Sequence, residues 1–288
     1  MARAEALDMQ WYQLGIYEKA MPNRLSIEEK LICARNSGFD YMELSIDEKD
    51  EKLGRLDWSA EERHTVRCAM EKNEFRIGSI CLSGHRRFPF GARKSPDASR
   101  SREIMEKAIL LARDLGIPLI QLAGYDVYYE EGNVDTRRQF EETLRWAASL
   151  AARFGVLLGF ETMETPFMDT VEKAMHFVRR VESPYLGVYP DIGNLKNASL
   201  IYKTPVNEDL ETGRGHLFAA HLKETVPGRY REVPFGTGHT DYIETIRCLK
   251  DLGVRRFVGE FWDIGSDDWE TTVRDANAFL RKKLNAVD

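Results

Sequence analysis

The chain has 288 residues, 43% hydrophobic and 31% charged, an ordinary composition for a soluble globular protein with enough chain to bury a sizeable core. Its net charge of −6 argues against a general nucleic-acid binder, which needs a basic face. No apolar run approaches the roughly 18 residues that a membrane helix requires.

The four cysteines, Cys33, Cys68, Cys81 and Cys248, are scattered and form no C-x-x-C pair. In a chain of this size they read as reduced thiols. The opening MARAEALDMQWYQ shows no apolar segment of the kind a secretion leader carries. A cytoplasmic location is the expectation.

Along the chain, short apolar runs alternate with longer stretches of helical period. The first run, Gln13–Tyr17, precedes a capping box, Ser26-x-x-Glu29, and the helix it opens stops near Gly38. A second strand, Tyr41–Ile46, leads to a helix over Ser59–Glu74. A third, Arg76–Ser83, leads to a long helix over Asp97–Leu115, which Gly116 ends. Leu119–Tyr125 is followed by a helix over Asp135–Phe154. Leu157–Thr162 is followed by a capping box at Asp169-x-x-Glu172. Leu186–Asp191 and Phe218–Glu224 come next. After Asp241-x-x-Glu244, Ile243, Ile246 and Leu249 share one helical face, and Gly253 closes it. The last strand is Arg256–Trp262 and the last helix Asp268–Leu284.

Eight βα units with no linker between them predict a single domain, residues 1–288, folded as a (β/α)8 TIM barrel. A doubly wound open sheet is the alternative. The run GIYEKA ends the first strand without a G-x-G-x-x-G turn, so a dinucleotide domain is disfavoured.

In such barrels the chemistry lies at the carboxyl ends of the strands. Strand five ends in Glu161 and strand six in Asp191, within YPDIGNLK. Strand seven carries His221 and strand eight Glu260. One acid at a strand end is more often a turn residue or an ion-pair partner than a ligand. Four polar residues on four consecutive strands would converge on one side of the mouth. Three carboxylates held together repel unless a cation neutralises them. With one imidazole among them, the set suits a divalent metal such as Zn, Mn or Co.

At these residues the chain resembles the L-ribulose-5-phosphate 3-epimerases, members of the xylose-isomerase-like barrels. The resemblance runs over nearly the whole chain. It is carried by GIYEKA (15–20), RLDWS (55–59), SICLSGHRRFPFG (79–91), IQLAGYDVYY (120–129), YPDIGNL (189–195), HLKETVPG (221–228) and VPFGTG (233–238). It implies Glu161, Asp191, His221 and Glu260 as metal ligands, with Glu161 and Glu260 doubling as the catalytic acid/base pair. It also implies a homodimer. Gly84 and Thr237 depart from the family pattern, and Thr237 replaces an acid often found in that loop.

Inverting the carbon beside a carbonyl means removing its proton and returning one to the opposite face, through an enediolate. The substrate implied is a small-molecule sugar phosphate, a pentulose 5-phosphate. Ser83, His85, Arg86 and Arg87 follow strand three and offer phosphate donors. Lys223, two residues after His221, shares its strand face. Tyr125, Asp126 and Tyr128 follow strand four and stand near the expected sugar pocket. His64, His176, His216 and His239 read as surface or structural. Rival readings are an epimerase or aldose–ketose isomerase for a related free or phosphorylated sugar, and a non-catalytic sugar-binding barrel. A multi-zinc DNA-repair endonuclease on this barrel would need more histidines and a basic face.

Overall fold

The computed structural model describes residues 10–287. The first nine residues of the segment read above for a leader lie outside them. Eight parallel strands run in the order β6-β5-β4-β3-β2-β1-β8-β7. They are β1 (Gln13–Tyr17), β2 (Tyr41–Ile46), β3 (Arg76–Leu82), β4 (Leu119–Ala123), β5 (Leu157–Glu161), β6 (Leu186–Tyr189), β7 (Ala220–Leu222) and β8 (Arg256–Gly259). Between the two ends of that order, Val188 pairs with Leu217 and Asp191 with His221, which closes the barrel.

Ten α-helices are present among the described residues. They are α1 (Ile27–Asn36), α2 (Asp50–Leu53), α3 (Ala60–Lys72), α4 (Asp97–Leu115), α5 (Val134–Phe154), α6 (Val171–Val181), α7 (Ile192–Tyr202), α8 (Val206–Glu211), α9 (Tyr242–Asp251) and α10 (Trp269–Asn285). Both hydrogen bonds of the Ser26 capping box form. The Asp169 box does not: Thr170 caps α6, and Asp169 pairs with Lys173 at 2.6 Å and accepts from the Tyr202 hydroxyl at 2.7 Å. Asp241 precedes α9 without a capping hydrogen bond. Gly38, Gly116 and Gly253 follow their helices with positive φ, as a left-handed stop requires.

Sequence reading found no helix after strand six. In the structure Asp191 is the N-cap of α7, its carboxylate accepting from Asn194 N–H at 2.7 Å.

Side chains pointing outward from the sheet pack with the helices into the main core. Those pointing inward form a second, smaller core of Tyr17, Tyr41, Cys81, Leu119, Tyr189, Ala219 and Val258. Tyr41 dominates it, donating to the Phe257 carbonyl at 2.9 Å. Its ring fits because β1 and β3 carry glycine where they face it. A Cβ at Gly15 would come within 2.5 Å of the ring, and one at Gly78 within 2.4 Å.

A buried ion cluster braces the rim beside β1. The Glu18 carboxylate takes Lys30 and Lys52, each at 2.8 Å, and Arg55 at 2.5 Å. It also accepts from Ser45 N–H at 2.9 Å. Burial opposes its charge, yet Arg55, Lys30 and Lys52 outweigh that and hold the carboxyl well below the usual range. This ties the chain after β1 to β2, α1 and α2, and so fixes the positions of Tyr17 and Lys19.

Candidate metal and catalytic centre

Glu161 is the last residue of β5 and Glu260 follows β8 directly. The Glu260 N–H bonds to Leu222 O at 3.0 Å, which sets it beside β7. Asp191 pairs with His221 as an isolated bridge. The structure thus brings together all four residues that the sequence singled out. One ligand atom from each of Glu161, Asp191, His221 and Glu260 lies within 4.8 Å of the others, and all four residues are buried.

His221 Nδ1 faces the acids, 3.3 Å from Glu161, 3.4 Å from Glu260 and 3.9 Å from Asp191. Lys223 Nζ stands 2.8 Å from Asp191 and 3.1 Å from Glu260. It shares the strand face of His221, as period two requires, but serves the carboxylates as a counter-charge.

Electrostatics separates the acids. Burial, reinforced by the Glu260 charge, pushes Glu161 up. Burial likewise pushes Asp191 up, against the pull of Lys223. Burial works on Glu260 too, but Lys223 and His221 outweigh it and hold its carboxyl well below the ordinary value.

The donor set fits a divalent cation. Asp191 Oδ2 and Glu260 Oε2 are buried, and both look to the single Lys223 ammonium, at 2.8 and 3.1 Å. One ammonium shared among three buried carboxylates leaves negative charge that a further cation would offset. Three carboxylates and an imidazole suit ions of intermediate hardness.

The chain is matched over residues 33–283 by the family described as xylose isomerase-like TIM barrel. It belongs to that family. It is 40% identical over 272 residues to the L-ribulose-5-phosphate 3-epimerase UlaE of Escherichia coli O139:H28 (strain E24377A / ETEC), covering 94% of each chain. It is 46% identical over 261 residues to SgbU of Escherichia coli (strain K12), whose provisional name gives the same activity, covering 88% of this chain and 90% of that one. Both relatives are named as epimerases, and the chain is an isomerase-class enzyme of their family. Among solved structures, a D-tagatose 3-epimerase-like protein superposes with a TM-score of 0.79 at 16% identity, covering 96% of this chain and 98% of that one. An L-ribulose 3-epimerase gives 0.74 at 18%, covering 96% and 95%. At these identities they bear on the fold alone.

In this barrel a cavity opens at the mouth above the cluster. Glu161, Glu260 and Lys223 line it, with Tyr17, Lys19, Ser83, Arg86, Glu164, Arg231 and Trp262 around them. Asp191 and His221 are not part of its wall.

The expected phosphate cluster divides. Ser83 and Arg86 line the cavity. Arg86 stacks over the Tyr128 ring at 4.8 Å, and its buried Nε has no partner. His85 turns the other way into the core. Its Nε2 lies 3.1 Å from Ser101 O and its ring packs on Phe90. Arg87 leaves the site and pairs with exposed Asp50 at 2.7 Å. Three consecutive residues in one helical turn point three ways, so they cannot all meet one ligand.

Tyr125 and Tyr128 stand behind Arg86 and both bond Glu164, at 2.9 and 3.4 Å. Asp126 accepts from Thr136 instead.

Sequence reading missed Arg231, Lys19 and Gln121. Arg231 lies in the loop after β7, where PGRYR announces two cations. Lys19 follows β1 and pairs with Asp47. Gln121, inside β4, donates to Glu161. A mid-strand polar residue was the available signal.

Proposed function

We propose that this enzyme interconverts L-ribulose 5-phosphate and L-xylulose 5-phosphate by inversion at C3, using a divalent metal and two glutamates. One observation carries this reading. Of the four clustered side chains, Glu161 and Glu260 line the cavity, whereas Asp191 and His221 lie outside its wall. The first pair therefore faces a substrate, while the second serves the cluster alone.

Glu161, Asp191, His221 and Glu260 would hold the metal. When bound, it supplies positive charge that stabilises the negative oxygen developing beside the reacting carbon. The C3 proton of a ketose is weakly acidic, and its removal needs a base within hydrogen-bond reach. Glu161 and Glu260 enter from strands three steps apart around the ring. One takes the C3 proton from one face and the other returns a proton to the opposite face. Their roles exchange with the starting epimer. Gln121 holds one oxygen of Glu161, and Lys223 keeps Glu260 charged. Arg86, Arg231 and Ser83 line the same cavity and stand as donors for phosphate. Tyr125, Tyr128 and Glu164 keep the Arg86 guanidinium in place.

Proton NMR in D2O tests the proposal, with metal-loaded enzyme and L-ribulose 5-phosphate. Deuterium should enter C3 as L-xylulose 5-phosphate forms. Glu161→Gln and Glu260→Gln should each abolish the conversion while the protein stays folded. Wild-type turnover in either variant, or no exchange at C3 with metal bound, would defeat the assignment. Exchange with free ketoses and none with the phosphate would move the substrate.

A further inference from the structure

Glu43 sits in the middle of β2, two residues from Tyr41 and on the same inward face. It is fully buried, and none of the described lysines or arginines forms an ion pair with it. A carboxylate in such a place is expensive unless each oxygen is served. Both are. Oε2 accepts from the Ser79 hydroxyl at 2.7 Å and from the Tyr189 hydroxyl at 2.9 Å. Oε1 lies 2.7 Å from His221 Nε2.

These contacts join β2, β3, β6 and β7 across the lumen, just beneath the four-residue cluster. They also fix the imidazole. With Oε2 filled by two O–H donors, Oε1 is the acceptor left for Nε2–H. The neutral ring that donates from Nε2 has a bare Nδ1, and Nδ1 is the nitrogen that faces Glu161, Glu260 and Asp191. A metal-binding nitrogen must be bare, and its ring is commonly oriented through its other nitrogen.

We infer that Glu43 is a positioning residue for the metal centre: it holds His221 in the Nε2–H tautomer and aims Nδ1 at the cation. The inference rests on the metal-dependent reading above. Glu43 touches no substrate on this view, since it does not line the cavity. The competing reading is that Glu43 merely fills the lumen and pairs the strands.

The test measures zinc binding by competition with a chromophoric chelator, using wild type and Glu43→Gln. In parallel, 15N-labelled histidine NMR reads the His221 ring in the zinc-loaded proteins. Wild type should show one tautomer, protonated at Nε2. Glu43→Gln should bind zinc about 10- to 100-fold more weakly, and its His221 should lose the single-tautomer signature. A variant changed only in packing would melt earlier yet keep both the affinity and the signature. If Glu43→Gln does not fold, Glu43→Asp takes its place. That change keeps the charge but draws the carboxylate back from Nε2 by one methylene, and should also weaken zinc. Unchanged affinity and tautomer in the folded variant would overturn the role of Glu43 alone. A wild-type protein that binds no zinc, manganese or cobalt would overturn the metal reading and this inference together.

Discussion

His85 gives the sharpest quantitative prediction, because the sequence pointed it at phosphate and the structure buries it. The ring is 4% exposed, and burial lowers its pKa from 6.5 to about 4, with the Ser101 carbonyl only partly opposing. In the unfolded chain the ring regains its ordinary value. Between those two values the unfolded state binds a proton that the native state refuses. Native stability therefore rises with pH across that window. The contribution is complete above about pH 6.5 and lost by about pH 4. At about 1.36 kcal/mol per unit, the shift is worth about 3 kcal/mol. The assay is urea unfolding of wild type and His85→Gln at several pH values from 7 down to 4. Subtracting the two curves removes the other titrating groups. The difference between the proteins should change by about 3 kcal/mol across the window, with wild type losing more on acidification. Parallel curves would refute the argument and mean that His85 titrates in water.

Two further predictions come from charge placement. Glu18→Gln leaves Lys30, Lys52 and Arg55 without their shared counter-ion, and should cost about 3–5 kcal/mol in denaturant unfolding at pH 7; a loss below about 1 kcal/mol would show that water already screens the cluster. Arg86→Ala removes the cation whose Nε is unpartnered. It should raise KM for the pentulose phosphate roughly thirtyfold, the equivalent of about 2 kcal/mol, and leave KM for the free ketose unchanged. An equal change for both substrates would assign Arg86 to the sugar instead.

Much of the architecture was legible because each strand is a short apolar run and most helices announce their ends. The strand starts agree with the sequence reading except at β7, which begins at Ala220 rather than Phe218. Several carboxyl ends do not: β4 stops at Ala123, β6 at Tyr189, β7 at Leu222 and β8 at Gly259. In each case the reading ran two or three residues too far. The chain leaves the ladder there and the next residues turn toward the mouth. Glu161, Asp191, His221 and Glu260 were readable because they stand at or next to those exits.

Glu43 was not. Every residue of β2 is buried, so alternation between a wet and a dry face is absent, and an inward acid looks like any other strand position. The helix after β6 was missed for another reason. In YPDIGNLK, Asp191 has two duties. One oxygen caps α7 while the other faces the cluster, and a turn-like sequence conceals both. Residue type alone also misled at His85 and Arg87. Both are good phosphate donors, and the turn that holds them sends each elsewhere.

The lumen packing of Tyr41 against Gly15 and Gly78 bears on how this sequence is free to drift. Three positions, far apart along the chain and on three different strands, share one volume. A methyl group gained at 15 or 78 is tolerable only with a smaller ring at 41, and that smaller ring would leave the Phe257 carbonyl without its hydroxyl donor. Descendants of this chain should therefore change the three sites together or leave them alone.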